Sequence, residues 1–344
     1  MSKDLINERR LALSEGHALE VGTSELSAAI QRAWNLQPIE TPAHALCRLN
    51  QTKAPGSSTH FPAATGVFLE DGRWMGRLSV DFAQFAPGCD LDVYKGVQPD
   101  DLLPWINVLL PSAGVLPIHA SAFRLKSTNI LYAGFAHSGK TGLLMAAAAA
   151  GAKVIGDECI WLTTGGQLQG LNLPMEVQLK YLKEFPVFVK RIPAADLQKA
   201  KGFKRLAAAV RTIHPRFGEK LSKRARMTLP FDALFDGSPS RGRLDTLLLS
   251  TPCSSRSIEL ASVTKDEAVA RLLEIQLAEF RPILNRYAEY RYHVPGTRNA
   301  WLDALTEALR PALEQALGKI PCFLVRHPYP VTAKDLLHAI TQTI

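Results

Sequence analysis

Long apolar runs are absent from this sequence. Its longest stretch of small apolar residues, 143–152, is far shorter than the roughly 20 residues that span a bilayer. The N-terminal segment mixes both charge signs around no apolar core, so no secretory leader and no membrane partner are expected, and the chain reads as cytoplasmic. Cysteine is scarce too. Cys47, Cys89, Cys159, Cys253 and Cys322 are scattered, odd in number and form no C-x-x-C pair. That argues against a disulfide framework or a zinc site and predicts reduced thiols, with Cys159 as a small buried hydrophobe. No internal repeat is visible.

What is present is a sizeable core. The chain has 344 residues, 47% of them hydrophobic, enough for one large or two moderate domains. Residues 1–112 predict a small α+β accessory domain. Its signals are a helix near 26–34, a strand near 44–50, a Pro/Gly/Ser-rich turn at 54–58, and a hairpin pairing 67–70 with 74–80 across Asp71-Gly72, followed by a helix over 100–110 bracketed by Pro99 and Pro111. Residues 113–344 alternate helix and strand signals, with strands at 173–180, 244–250 and 321–326 and helices at 264–277 and 300–317. The class is therefore α/β.

The most informative segment is Gly134-Phe135-Ala136-His137-Ser138-Gly139-Lys140-Thr141, a complete G-x-x-x-x-G-K-T loop. An apolar run, Ile130-Leu131-Tyr132-Ala133, precedes it, and Gly142 opens a helix-forming run that follows. The backbone N–H groups of such a loop surround a phosphate, Lys140 reaches the outer phosphates, and Thr141 offers a hydroxyl to Mg²⁺. ATP and Mg²⁺ are the expected cofactors, with the loop from Gly134 to Gly142 as their cradle. Asp157 and Glu158 follow 23 and 24 positions after Gly134, at the end of a short apolar strand that a β-α-β unit would set beside the loop strand. One carboxylate can take a proton from an attacking hydroxyl while the other holds the metal. A strand over 116–123 carries His119, which the sheet would bring towards Asp157 to orient it or adjust its pKa.

His119-Ala120-Ser121, the loop 15 positions on and the acidic pair resemble, in letters and spacing, the HPr serine kinase (HPr kinase/phosphorylase) family. The likeness is to its shorter relatives found beside peptide-modifying and polysaccharide gene sets. It covers residues 113–185 with specific motifs and the tail more loosely. The resemblance implies an HPr-kinase-like P-loop core with a mixed sheet, in which His119 assists a catalytic Asp157, Glu158 meets Mg²⁺, and the γ-phosphoryl group of ATP passes to a hydroxyl. The acceptor would be a serine-type hydroxyl of a peptide or protein, or a small hydroxylated metabolite. Two departures mark this chain: the pair is Asp-Glu, where the family has Asp-Asp, and the Glu-Ile-Arg-Gly-type signature is missing. HPr itself is therefore not the expected substrate, and reverse phosphorolysis is not implied.

Charge is concentrated in one place. Between Lys180 and Arg226 stand fourteen Lys and Arg against three acids, more than the chain's net +8. This predicts a lid-like insertion over about 185–240, broken by Pro186, Pro193 and Pro215. One of Arg205, Arg211 and Arg224 would neutralise transition-state charge, and Lys180 would point towards the nucleotide. Two alternatives stay open. One is a nucleic-acid-directed enzyme such as a 5′-hydroxyl kinase, disfavoured because only Phe203 and Phe217 interrupt the basic run and offer no stacking platform. The other is a nucleotide-regulated binding protein without turnover. A homo-oligomer is compatible with all three.

Overall fold

The computed structural model describes residues 9–14, 16–39, 44–52, 67–68, 73–212, 214, 216–217, 221, 225–237 and 239–344. They form a mixed α/β fold with several mixed sheets. Contacts divide the chain into two units: residues up to Ile118 with Trp161–Gln167 and Lys265–Lys319, and His119–Ile160 with Leu168–Thr264 and Ile320–Ile344.

The first unit carries an eight-stranded sheet drawn from the N-terminal part of the chain. Its alternating segments give strands with one buried face, as in Cys89–Tyr94, where Cys89, Leu91 and Val93 point inward. The helix Ser24–Trp34 is capped by Thr23, whose hydroxyl accepts from the Leu26 N–H, and buries Leu26, Ile30 and Trp34 at helical spacing. The expected hairpin appears as Val67–Phe68 paired with Arg73–Met75, while its turn at Asp71-Gly72 lies outside the described residues, as does 54–58. The run expected as one strand over 74–80 divides, since Arg73–Met75 turns back to pair with Leu78–Asp81.

The helices Lys265–His293 and Ala300–Leu317 belong to this unit, which corrects the expectation that everything after residue 112 forms one domain. Packing explains the correction. Phe82 stacks on Tyr287 and Tyr290, Arg286 lies over the rings of Trp74 and Trp105, and the Asn299 amide donates to the carbonyls of Phe82 and Phe85 at 2.7 and 2.8 Å. The helix expected to end at 277 runs on to His293, and Pro311 sits inside an unbroken Ala300–Leu317.

The second unit is built on a six-stranded mixed sheet. Its order is Lys153–Gly156, Ala120–Leu125, Thr128–Ala133, Thr246–Cys253, Cys322–Pro328, Glu259–Ser262. Thr128–Ala133 runs parallel to Thr246–Cys253, and its last four residues are wholly buried, the signature of a central strand covered on both faces. The helices Lys140–Ala149 and Ala333–Thr343 pack together on this sheet around Leu143, Leu144, Met145, Leu336 and Ile340. The run expected as one strand over 116–123 breaks at His119, and Ala120–Leu125 folds as a hairpin onto Thr128–Ala133. Lys153–Gly156 pairs antiparallel with Ala120–Leu125. The acidic pair's strand is therefore one place removed from the loop strand, not adjacent to it as expected.

The described residues of the basic segment include a strand pair and one long helix. Met175–Val177 pairs with Met227–Leu229, and Lys180 falls in a helix, Leu179–Glu184, not at a strand end. A 3-10 turn, Pro186–Arg191, and an 18-residue helix, Ala194–Arg211, follow. Pro193 stands at the start of that helix, and Pro215 and Arg224 lie outside the described residues. No helix among the described residues is long and apolar enough to cross a membrane.

Candidate functional site

The loop begins where the buried strand Thr128–Ala133 ends and stops where the helix Lys140–Ala149 starts. Two of its residues lie in the left-handed region, His137 (φ 68°) and Gly139 (φ 87°), and they curl the chain tightly into the helix. No side chain caps that helix start, so its backbone N–H groups and positive end face the loop. Glycine is required at both ends. A Cβ on Gly134 would lie 2.8 Å from Ser138 Oγ and 2.9 Å from Ser250 Cβ, and one on Gly142 would run into the Tyr181 ring at 2.6 Å. The loop is tied from behind. The Tyr132 hydroxyl donates to the Ser138 carbonyl at 3.3 Å, and Ser250 Oγ lies 3.0 Å from the same oxygen and 2.9 Å from Nε2 of the buried His327. Ser138 Oγ itself is buried with no partner.

Lys140 is only 7% exposed, and its ammonium donates to the carbonyls of Gly134 at 2.8 Å and Phe135 at 3.0 Å. A buried ammonium must be met by oxygens, because an unmet charge costs several kcal/mol, on the order of 3–5. The loop supplies those oxygens from its own backbone and so aims the side chain along the cradle.

Asp157 follows directly on Lys153–Gly156 and is almost wholly buried. Its Oδ2 accepts from Thr141 Oγ1 at 2.9 Å and its Oδ1 from Ser121 Oγ. Burial pushes the Asp157 carboxyl above the usual range, while the two hydroxyl bonds and the Lys140 charge pull the other way. Glu158 then takes φ 64°, and the Cys159 N–H reaches back to the Asp157 carbonyl at 2.8 Å. This closes a three-residue turn centred on Glu158, a conformation rare outside glycine and worth about 1–3 kcal/mol of strain. Its effect is to send the two carboxylates different ways: Asp157 inward to Thr141, and Glu158, 39% exposed, into the pocket beside the loop.

His119 sits against Glu158. Its Nδ1 is 3.0 Å from the Glu158 carbonyl and 3.8 Å from the Glu158 carboxylate. A carbonyl only accepts, so Nδ1 carries the ring proton. Burial and the Lys140 charge lower the imidazole pKa to about 4, against the pull of that carbonyl, so the ring is neutral near pH 7.

All the sequence-predicted residues are thus gathered in one unit: His119, the loop from Gly134 to Gly142, Asp157 and Glu158. The pairing differs in detail from expectation, since the Asp157 carboxylate is gripped by Ser121 and Thr141 and the imidazole lies on Glu158. The adjoining pocket, about 190 Å³, is lined by the loop, His119 and Glu158, and also by Glu176, Tyr181 and Arg226. Arg226 Nη1 lies 2.6 Å from Glu176 Oε2. Burial, with the Asp157 charge next, pushes the Tyr181 hydroxyl up to about 12, so it keeps its proton. None of Arg205, Arg211 or Lys180 is among the residues lining this pocket. Ser121, Tyr181, Glu176 and Arg226 were not singled out from sequence. Only Ser121, two positions from His119, and Arg226, the last cation of the basic run, carried any signal.

Among the described residues no group of three His, Cys, Asp or Glu side chains could hold a metal ion by itself. Mg²⁺ in phosphate sites needs no such group, since one or two protein oxygens and the phosphates suffice. No protein-family model matches the chain, and no curated protein matches it significantly.

Proposed function

We propose that this chain is an ATP-dependent kinase of the HPr-kinase-like P-loop type, transferring the γ-phosphoryl group to an acceptor hydroxyl. The observation that carries the reading is the hydrogen bond from Thr141 to a buried Asp157 at the foot of a G-x-x-x-x-G-K-T loop, with a second, accessible carboxylate one residue on. A carboxylate tied to the loop threonine is what a phosphate-bound Mg²⁺ requires, and a carboxylate that faces the pocket is what transfer requires beyond nucleotide binding.

Mg²⁺, when bound, neutralises charge across the β- and γ-phosphates; Thr141 would hold it, with Asp157 accepting the Thr141 hydroxyl proton so that the oxygen's lone pairs are turned to the metal. The loop amides take the phosphates, and Lys140 leaves the Gly134 and Phe135 carbonyls for the outer phosphate oxygens, contributing charge where it develops. Glu158 takes the proton of the acceptor O–H as that oxygen bonds to phosphorus and the bond to the ADP leaving oxygen breaks. Neutral His119 donates through Nδ1 to the Glu158 carbonyl and holds the strained turn in register. This division exchanges the roles that resemblance assigns, in which Asp157 is the base and Glu158 the metal ligand. The exchange rests on access: both Asp157 oxygens already accept hydroxyl bonds and the residue is 2% exposed.

The test is ATP turnover with labelled γ-phosphate against a panel of serine peptides and hydroxylated metabolites, in the presence of Mg²⁺. Acceptor-dependent ADP release with label on the acceptor supports the proposal. Nucleotide binding with no transfer to any acceptor, coupled to capture of a partner protein, would favour the regulatory reading.

A further inference from the structure

The loop and its acids do not account for the basic run. A second cavity, of about 570 Å³, lies between the helix Leu179–Glu184, the turn Pro186–Arg191 and the helix Ala194–Arg211. That is a ligand-sized volume, within the roughly 300–1,000 Å³ of small-molecule sites. Leu179, Leu182, Val189, Leu197 and Ala208 give it apolar walls. Lys183, Lys201, Lys204 and Arg205 line it as well, and all four are exposed, so their stems lie on the walls and their charges at the mouth.

The spacing on the longer helix is informative. Leu197, Lys201, Lys204, Arg205 and Ala208 recur at helical intervals and so share one face, turned into the cavity. A helix that only had to pack would turn an apolar stripe inward and its cations to open water. Here the buried packing is made by small residues, Ala200 and Ala207, on a neighbouring stripe, and three cations are spent on the cavity wall. Among the described residues that line the cavity none is acidic, so the four charges repel one another until an anion arrives.

We propose that this cavity binds a free, single-chain anionic amphiphile, with an alkyl or isoprenoid tail between the leucines and a carboxylate or phosphate head among Lys183, Lys201, Lys204 and Arg205. The wall chemistry selects that class. Among the described residues that line the cavity none is aromatic, so they offer no platform to stack a base, which disfavours a nucleotide. Lysine and arginine donate hydrogen bonds and accept none, and the other described lining side chains are apolar, so the N–H groups of a peptide would find no side-chain acceptor among them. A ligand whose polar end only accepts has every group met. The proposal stands independently of the kinase reading.

Isothermal titration of the full chain with octanoate, decanoate and dodecanoate, each below its micelle-forming concentration, tests it. Binding should be one-to-one, tightening about fourfold per added methylene while the tail fills the walls. Dodecyl phosphate should bind comparably to dodecanoate, and uncharged dodecyl maltoside at least tenfold more weakly. The Lys201→Glu, Lys204→Glu double variant should weaken dodecanoate at least tenfold. Ala208→Trp, which narrows the cavity from an exposed position, should weaken every chain length with thermal unfolding unchanged. The proposal is overturned if dodecanoate shows no saturable binding, if the maltoside binds as tightly, or if both variants bind as the wild type does. It is also overturned if an acidic amphipathic peptide or vesicles of anionic lipid bind where dodecanoate does not.

Discussion

Lys140 and the cations of the helix Ala194–Arg211 belong to the same unit and carry the same charge under opposite physical conditions. Lys140 is 7% exposed and held by two loop carbonyls, while Lys201, Lys204 and Arg205 stand exposed at the mouth of an apolar cavity. In a water-poor site a fixed charge acts at full strength on whatever charge develops beside it. An exposed charge is screened and contributes about 0–1 kcal/mol to any one pairing, although several together collect anions. The comparison teaches that a basic run is a poor guide to where chemistry occurs.

The largest expected effect lies at the loop pocket, where Lys140 works. Glu158→Gln keeps the shape of the turn but cannot take a proton, so transfer should fall by about two to four orders of magnitude with ATP and Mg²⁺ affinity retained. Asp157→Asn should instead weaken Mg²⁺-dependent nucleotide binding, read from the Mg²⁺ concentration needed for half-maximal rate. If Asp157→Asn abolishes transfer at saturating Mg²⁺ while Glu158→Gln is tolerated, the two carboxylates carry the roles implied by resemblance.

Lys140→Ala comes next. It removes the one buried cation of the loop and leaves the Gly134 and Phe135 carbonyls without that donor. A loss of about 10²–10³ in kcat is expected, with weaker ATP binding by fluorescence titration. Near-wild-type transfer by this variant would erase the contrast between buried and exposed cations.

His119 gives a pH test of the same burial. Its folded pKa, about 4, lies below the usual 6.5, so the unfolded chain binds this proton first as pH falls. The sign follows: the neutral ring is fully compatible with folding above about pH 6.5, and stability is lost progressively from there down to about pH 4. The loss reaches at most about 3 kcal/mol. Urea unfolding across that window should show a shallower decline for His119→Gln than for the wild type. Parallel curves would mean that the imidazole is not buried as described.

Much of the buried side was legible in sequence because its signals are local. A contiguous loop, an apolar strand before it and a strand ending in two acids fix residue types at short range, and the loop strand and the helix after it appear where those signals predict. What was not legible depends on distant partners. A hairpin strand inserted between the loop strand and the acidic strand leaves no trace in either strand's own residues. The grouping of Lys265–Lys319 with the N-terminal segments follows from Phe82 meeting Tyr287 and Tyr290, some 200 positions away. The positive φ at Glu158 sits on a residue type that gives no warning of it. The basic run announced its charge but not its facing, so Arg205 was a candidate for the phosphates and instead lines the other cavity, while Arg226 stands at the loop pocket.

The smallest effect belongs to the exposed side and is the sharpest check on the comparison. Arg211, once a candidate for neutralising transition-state charge, is exposed and lines neither cavity. For Arg211→Ala, kcat should stay within about twofold of wild type, and the KM for ATP should rise by no more than about threefold at low ionic strength, a difference that disappears in 0.5 M salt, where the Debye length falls to about 4 Å. Arg226→Ala is the control, because its guanidinium lines the loop pocket and should lower kcat at every salt concentration. A tenfold, salt-independent fall in kcat for Arg211→Ala would mean that the basic helix closes over the phosphates during turnover. The division between a buried working charge and an exposed collecting one would then fail at that residue.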